Sequence, residues 1–217
     1  MDIDEVLAII TGSKTARDHQ VEVGPSEIGG CRRKVWHRLQ RTPATNVTLG
    51  LAAWMGTAIH KAIERAFDVA DPFSERYLRE VEVSSGGLMG HVDLYDIEAR
   101  TVTDWKTTTK KNLRYFPSQQ QRTQIHLYGY LLSQNGYPVE TVQLIAIVRD
   151  GNETDIKQHS EPYDEELALG GIAWLAAVEA SQTPPEPEKH RMFCRDYCEY
   201  FDMKSDDGCR GMSALHM

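Results

Sequence analysis

Apolar residues recur every three or four positions in "LGLAAWMGTAIHKAIERAF" (49–67), at Ala52, Met55, Ile59, Ile63 and Phe67, which predicts an amphipathic helix. After it the period shortens. "YLREVEV" (77–83), "LMGHVDLYDI" (88–97) and "TVTDWKT" (101–107) read as strands, Val92, Leu94 and Ile97 alternating imperfectly, with "SSGG" and "EAR" as turns. The helical period returns in "SQQQRTQIHLYGYLLSQNG" (118–136), closed by Gly136 just past its end. "ETVQLIAIVRD" (140–150) reads as a buried strand and "TDIKQHS" as a partner strand. "YDEELALGGIAWLAAVEASQ" is a long final helix, which "TPPEPEKH" breaks with three prolines. Toward the N-terminus, "DIDEVLAIITG" predicts a short helix and then a polar linker. "PSEIGGCRRKVWHRLQR" predicts a helix capped by Ser26, its first turn weakened by Gly29 and Gly30. Helices, three strands, helix, strand, helix is the order of an α/β fold, an antiparallel meander joined to a crossover.

Composition narrows the class. A chain of 217 residues with 41% apolar and 26% charged positions is expected to bury one core with room for a small appendage, which excludes disordered and fibrous classes. No apolar run approaches membrane-spanning length. Acidic residues open "MDIDEVLAII" where a leader would carry basic ones, so a cytoplasmic protein with no membrane partner is expected. In a reducing compartment four cysteines are poor disulfide candidates and better metal ligands.

Net charge of −8 argues against a nucleic-acid partner until its distribution is considered. Screening confines each charge to a neighbourhood of about 10 Å. "CRRKVWHRLQR" (31–41) and "KTTTKKNLRYFPSQQQR" (106–122) are basic without one acidic residue. A basic cleft on an acidic body is compatible with a metal-using DNA enzyme, although from the charge alone two solvated faces are the slightly better account.

The candidate chemistry lies in "GHVDLYDIEARTVTDWKTTT" (90–109). A hairpin there sets Asp93 and Asp104 on consecutive strands, and two converging carboxylates cost free energy unless a cation joins them. Hard oxygen ligands select Mg²⁺ or Mn²⁺. Alternation puts Lys106 on the same strand face as Asp104, where it can orient water or offset growing charge, while the Trp105 backbone carbonyl remains available to the metal. His60, one turn after Gly56 and one before Glu64, is an extra-ligand candidate; the plain alternative is a boundary histidine. Gln124 and Tyr128 share a helix face and can hold a nucleotide or the lysine.

Gly56–His60, Gly90–Asp93, Asp104–Lys106 and Gln124–Tyr128, in that order, resemble the motifs of the PD-(D/E)XK nuclease superfamily, in its RecB-like branch. The resemblance implies a restriction-endonuclease-like core, a central mixed sheet flanked by helices, and metal-dependent hydrolysis of phosphodiester bonds. Cys31 stands alone before that core, and Cys194, Cys198 and Cys209 follow it. That arrangement is similar to the iron–sulfur nucleases of the branch, such as the AddB nuclease domain, the CRISPR-associated exonuclease Cas-four and its phage relatives. Four thiolates suit a [4Fe–4S] cluster or Zn²⁺ by ligand type, and the resemblance favours iron–sulfur.

The implied organisation is a helix and linker at 1–24, a nuclease core at 25–183, and a cysteine-rich segment at 184–217 joined to Cys31 by the cluster. No G-x-x-x-x-G-K-[ST] motor motif is present. The expected function is a DNA exonuclease acting on single strands or ends. Asp93, Asp104, the Trp105 carbonyl and His60 would hold the metal, and Lys106 would position water. Gln124 and Tyr128 would contact DNA near the scissile phosphate, and Arg32, Arg33, Lys110, Lys111 and Arg114 its backbone. The alternatives are a nuclease that processes DNA for CRISPR spacer acquisition beside integrase or recombination partners, and a non-cleaving DNA-binding module.

Overall fold

The computed structural model describes residue 2 and residues 23–46, 51–189, 191–204 and 208–212. The helix expected over 2–12 lies outside them, apart from Asp2. The chain divides into two compact units. One takes the described parts of 1–23, 29–54 and 173–217, and the other takes 24–28 and 55–172.

The second unit contains a five-stranded sheet in the order β1 (Tyr77–Ser85), β2 (Leu88–Asp96), β3 (Thr101–Thr108), β4 (Thr141–Val148), β5 (Lys157–Pro162). All neighbours are antiparallel except β3 and β4, which run parallel from Thr101↔Thr141 to Thr108↔Val148. The two-residue turn Gly86–Gly87 joins β1 to β2 with both φ angles positive (59° and 84°), a conformation that favours glycine. The crossover from β3 to β4 is α3 (Gln119–Gln134). Earlier in the chain lie α1 (Arg32–Leu39) and α2 (Leu51–Ala70), and later α4 (Glu165–Glu179) and α5 (Arg191–Tyr197).

The ends of α3 follow from its sequence. Ser118 and Gln121 form a reciprocal capping box, and Gly136 (φ 87°) lets the backbone turn while Tyr137 N–H donates to Leu132 O at 3.0 Å. Ile125, Leu127, Leu131 and Leu132 of α3 are buried with Val142, Leu144 and Ala146 of β4, Val92 of β2 and Val102 of β3. β4 buries alternate residues, so one face of it lies in the core. Helix α2 packs Phe67 against Trp105 (ring centroids 6.1 Å apart) and Tyr77 (5.1 Å).

Two elements differ from expectation. The helix foreseen from Ser26 begins at Arg32, because Pro25–Glu27 forms a short 3₁₀ turn and Gly29 takes φ 78°. In α2 no described residue is fully buried; Ala52 and Met55 are exposed, whereas Ile59, Ile63 and Phe67 are half-buried. No helix among the described residues is long and apolar enough to cross a membrane.

A polar knot ties α3 to the edge strand β5. Glu161 accepts two hydrogen bonds from Arg122, at 2.8 and 2.7 Å, and lies 3.2 Å from His126 Nε2 and 3.3 Å from His159 Nε2. His126 is 1% exposed, and its Nδ1 accepts the Asp164 N–H, so Nε2 carries the proton facing Glu161. The Arg122 hydrogen bonds, against the opposing effect of burial, bring the Glu161 carboxyl down to about 2. A depressed carboxyl contributes stability above its unfolded value and loses it as pH falls through the folded one. Glu161→Gln is therefore expected to cost about 2 kcal/mol at pH 7, after discounting for solvent, with a smaller deficit near pH 2. Urea unfolding at both pH values checks this, and an equal deficit at both contradicts it.

Candidate active site

β2 and β3 pair only near their hairpin, at Leu94↔Thr103, Tyr95↔Val102 and Asp96↔Thr101. The next level of that register sets Asp93 opposite Asp104, and there the ladder stops while β3 stays paired with β4. β1 registers the same kink, with no pair between Glu80 and Asp93 and a positive φ (49°) at Glu80. The β1–β2 hairpin thus leaves β3 at the level of the two aspartates. In the notch Asp93 Oδ2 accepts the N–H of Trp105 at 2.9 Å, a bond that a ladder carbonyl would otherwise take.

Side chains from four elements meet here. His60 of α2 places Nδ1 3.4 Å from Asp93 Oδ2. Lys106 Nζ lies 2.6 Å from Asp104 Oδ2 and donates to Gln124 Oε1 at 2.7 Å. Gln124 Nε2 lies 3.2 Å from both Asp104 Oδ1 and the Tyr128 hydroxyl, donating to each. Gly90 makes room for this: a Cβ on it would come 2.8 Å from the Tyr128 ring and 3.1 Å from Pro25. The glycine of the G-x-x-D stretch is thus required by the close approach of the tyrosine that backs Gln124.

The electrostatics are uneven. Burial pushes the Asp104 carboxyl up to about 6, and nearby Asp93 adds to this against the opposing Lys106 charge. Burial also acts to raise Asp93, but His60, the Trp105 N–H and Lys106 outweigh it and hold that carboxyl below the usual range. The two carboxylates raise His60, overcoming the opposite effect of its own burial. Asp104 Oδ2 is buried; its ion pair with Lys106 is short, yet no hydrogen bond of directed geometry reaches it.

That donor set fits a hard divalent cation: two opposed carboxylates, one with an unsatisfied oxygen, and the Trp105 carbonyl directly after Asp104 in sequence. Among the described residues no three His, Cys, Asp or Glu side chains gather closely enough to hold a metal unaided. Mg²⁺ needs only one or two carboxylates when water and substrate phosphate complete its shell.

Of the remaining candidates, Gln124 and Tyr128 join this group and the basic residues lie apart from it. Gln124, 5% exposed, contacts the lysine and the aspartate, and Tyr128, 6% exposed, backs Gln124, where sequence spacing alone left a nucleotide contact equally open. Arg32 pairs with Glu188 and stacks over Trp174, and Arg33 donates to Pro185 O, all within the other unit. Lys110 pairs with Asp155 at 2.9 Å. Lys111 and Arg114 are exposed. A hollow beside Asp93 is lined by His60, Glu64, Arg79, Glu80 and Trp105. Glu64 follows His60 by one helical turn, a signal the sequence carries. Glu80 is there through the β1–β2 register, which it does not.

The cysteines belong to the other unit. All four are free, Cys194, Cys198 and Cys209 buried and Cys31 half-buried at the start of α1. Burial raises the Cys194 thiol to about 12, and Cys198, Cys209 and Cys31 each add to the shift. No three of them close to metal-ligand distance. The C-terminal segment meets α1 through other contacts: Lys34 and Arg38 pair with Glu199 at 3.1 and 2.5 Å, and His37 stacks on Tyr200.

Comparison with protein families matches residues 31–203 to the model described as the PD-(D/E)XK nuclease superfamily. Comparison with curated proteins finds no match. Among solved structures the chain is similar to the protein SSO0001, with TM-score 0.58 and 18% identity over 92% of this chain and 95% of that one. It is also similar to a phage related exonuclease from Haemophilus somnus 129PT, with TM-score 0.50 and 11% identity over 79% and 88%. At these identities the likeness is one of fold.

Proposed function

This chain belongs to the PD-(D/E)XK nuclease superfamily, and from that premise we propose that it is a metal-dependent DNA exonuclease whose site is the notch between β2 and β3. The observation that carries the reading is the convergence of Asp93, Asp104 and Lys106 where the two strands part. A protein that only bound DNA would gain nothing from a buried carboxylate kept protonated to about pH 6 beside another.

Asp93, Asp104 and the Trp105 carbonyl would hold Mg²⁺ or Mn²⁺, which supplies positive charge at the scissile phosphate and activates water. Lys106, fixed between Asp104 and Gln124, presents an ammonium group to the charge that grows on the phosphoryl oxygens. His60 orients Asp93 and, with its raised basicity, holds a proton toward it. Gln124, itself held by Tyr128, positions Lys106. The fold shared with the phage related exonuclease supports attack from strand ends. Incubation of end-labelled single and duplex strands with Mg²⁺ tests the reading. Wild type should shorten strands progressively from one end and Asp93→Ala should not; equal inertness of both would overturn it.

For Cys31, Cys194, Cys198 and Cys209 the reading is a soft-metal site, iron–sulfur by resemblance. Cys194 has the other three unbridged thiols as electrostatic neighbours, and only a bound cation would hold that buried group as a thiolate. Anaerobic purification followed by metal and sulfide analysis should find iron and sulfide, lost in Cys194→Ser. Stoichiometric zinc would replace the cluster assignment, and metal-free protein would remove it.

A further inference from the structure

The loop between β3 and α3, residues 109–118, carries surface that the catalytic geometry does not use. It begins directly after Thr108, two residues beyond Lys106, and ends at the Ser118 cap, six residues before Gln124. Both of its ends are therefore tied to elements that build the site.

The loop is anchored along its length. Lys110 N–H donates to Asp150 Oδ1 at 2.9 Å, and its ammonium pairs with Asp155. Phe116 is buried, and Leu113–Tyr115 closes a 3₁₀ turn in which Phe116 N–H donates to Leu113 O at 3.1 Å. Lys111, Arg114 and Tyr115 are among its exposed residues. Tyr115 remains 62% exposed although the Arg114 guanidinium sits 4.7 Å from its ring centroid. Among the described residues neither Lys111 nor Arg114 has an ion-pair partner, and no acidic residue occurs from 106 to 122 in a chain of net charge −8.

A single exposed tyrosine is ordinary on a protein surface. Here the ring is held in an anchored turn, backed by a cation, flanked by uncompensated positive charge, and placed on the segment that joins the two catalytic elements. We propose that Tyr115, backed by Arg114, is a stacking platform for an unpaired base of the strand being cleaved, with Lys111 and Arg114 meeting its phosphates. An aromatic face accepts any base without reading sequence, and a guanidinium behind it strengthens the contact. Bases within a duplex are stacked on one another, so the platform selects single strands or frayed ends. This rests on the nuclease reading above for its substrate and adds the class of strand.

The test measures equilibrium binding of a short labelled oligothymidine and of a blunt duplex hairpin, with no divalent metal added, by wild type, Tyr115→Ala and Tyr115→Phe. Tyr115→Ala should weaken single-strand binding on the order of ten-fold, Tyr115→Phe should bind like wild type, and duplex binding should change far less. Unchanged binding by Tyr115→Ala overturns the platform. So does an equal loss in Tyr115→Phe, or an equal loss on the duplex. Cleavage with Mg²⁺ is scored separately. Selective loss of single-strand binding without any cleavage by wild type would keep the platform and remove the nuclease reading. Lys106-dependent cleavage with unchanged Tyr115→Ala binding would do the reverse.

Discussion

Lys106→Ala is expected to lower the rate of DNA cleavage on the order of 10²–10³-fold while leaving a folded protein that still binds DNA. The ammonium is 2.6 Å from Asp104 and hydrogen-bonded to Gln124, so it is positioned before substrate arrives and costs no reorganisation during the reaction. Its loss leaves Asp104 buried beside Asp93 without its cation. That carboxyl already reaches about 6, so taking up a proton relieves the repulsion and the fold survives. The defect should appear in kcat and hardly in KM. Lys106→Arg should not restore the rate, because a planar guanidinium neither fits between Asp104 and Gln124 nor presents a point charge. Single-turnover cleavage by wild type and both variants decides it. Rates within a few-fold of one another would show that Lys106 has no part in the chemistry.

The second large effect is a gain. Asp104→Asn, expected to be inactive, should be more stable than wild type when no divalent metal is present. Asp104 titrates near 3.8 in the unfolded chain and near 6 in the fold, so the folded state holds its proton more tightly. Stability is then highest below 3.8 and declines as pH rises through about 6. Asparagine does not titrate, so its advantage should open across that window and reach about 2 kcal/mol at pH 8, a rise in Tm of roughly 4–8 °C. Mg²⁺ or Mn²⁺ should reverse the order by favouring the ionised carboxylate, raising the Tm of wild type at pH 8, little at pH 5, and not that of Asp104→Asn. Thermal melts at two pH values, with and without metal, test this. A variant less stable than wild type at pH 8 without metal would mean that Lys106 compensates Asp104 fully.

Gln124 shows where local reading stops. Its spacing to Tyr128 identifies a shared helix face, and that face is present on α3. Whether the face meets a strand of DNA or a lysine depends on the rotation of α3 over β3. Contacts distant in sequence decide that rotation: Arg122 and His126 to Glu161 on one side, Tyr128 over Gly90 on the other. The basic stretches divide for the same reason. Arg32 and Lys110 have acidic partners 156 and 45 residues away, at Glu188 and Asp155, whereas Lys111 and Arg114 have none among the described residues.

Periodicity, caps and glycine turns are interactions between near neighbours, and they were enough to determine the strands, the crossover helix with its two ends, and the motif pairs on them. The sequence by itself also determined that β3 would carry an acid and a lysine on one face, because alternation is a property of the strand alone. Only the tertiary structure decided that β2 leaves β3 at Asp93 and Asp104, that Glu80 turns at the same level, and that His60 reaches in from another element. Those outcomes depend on register and on packing between segments far apart in the chain, where the free energy belongs to pairs of elements and is written in neither one.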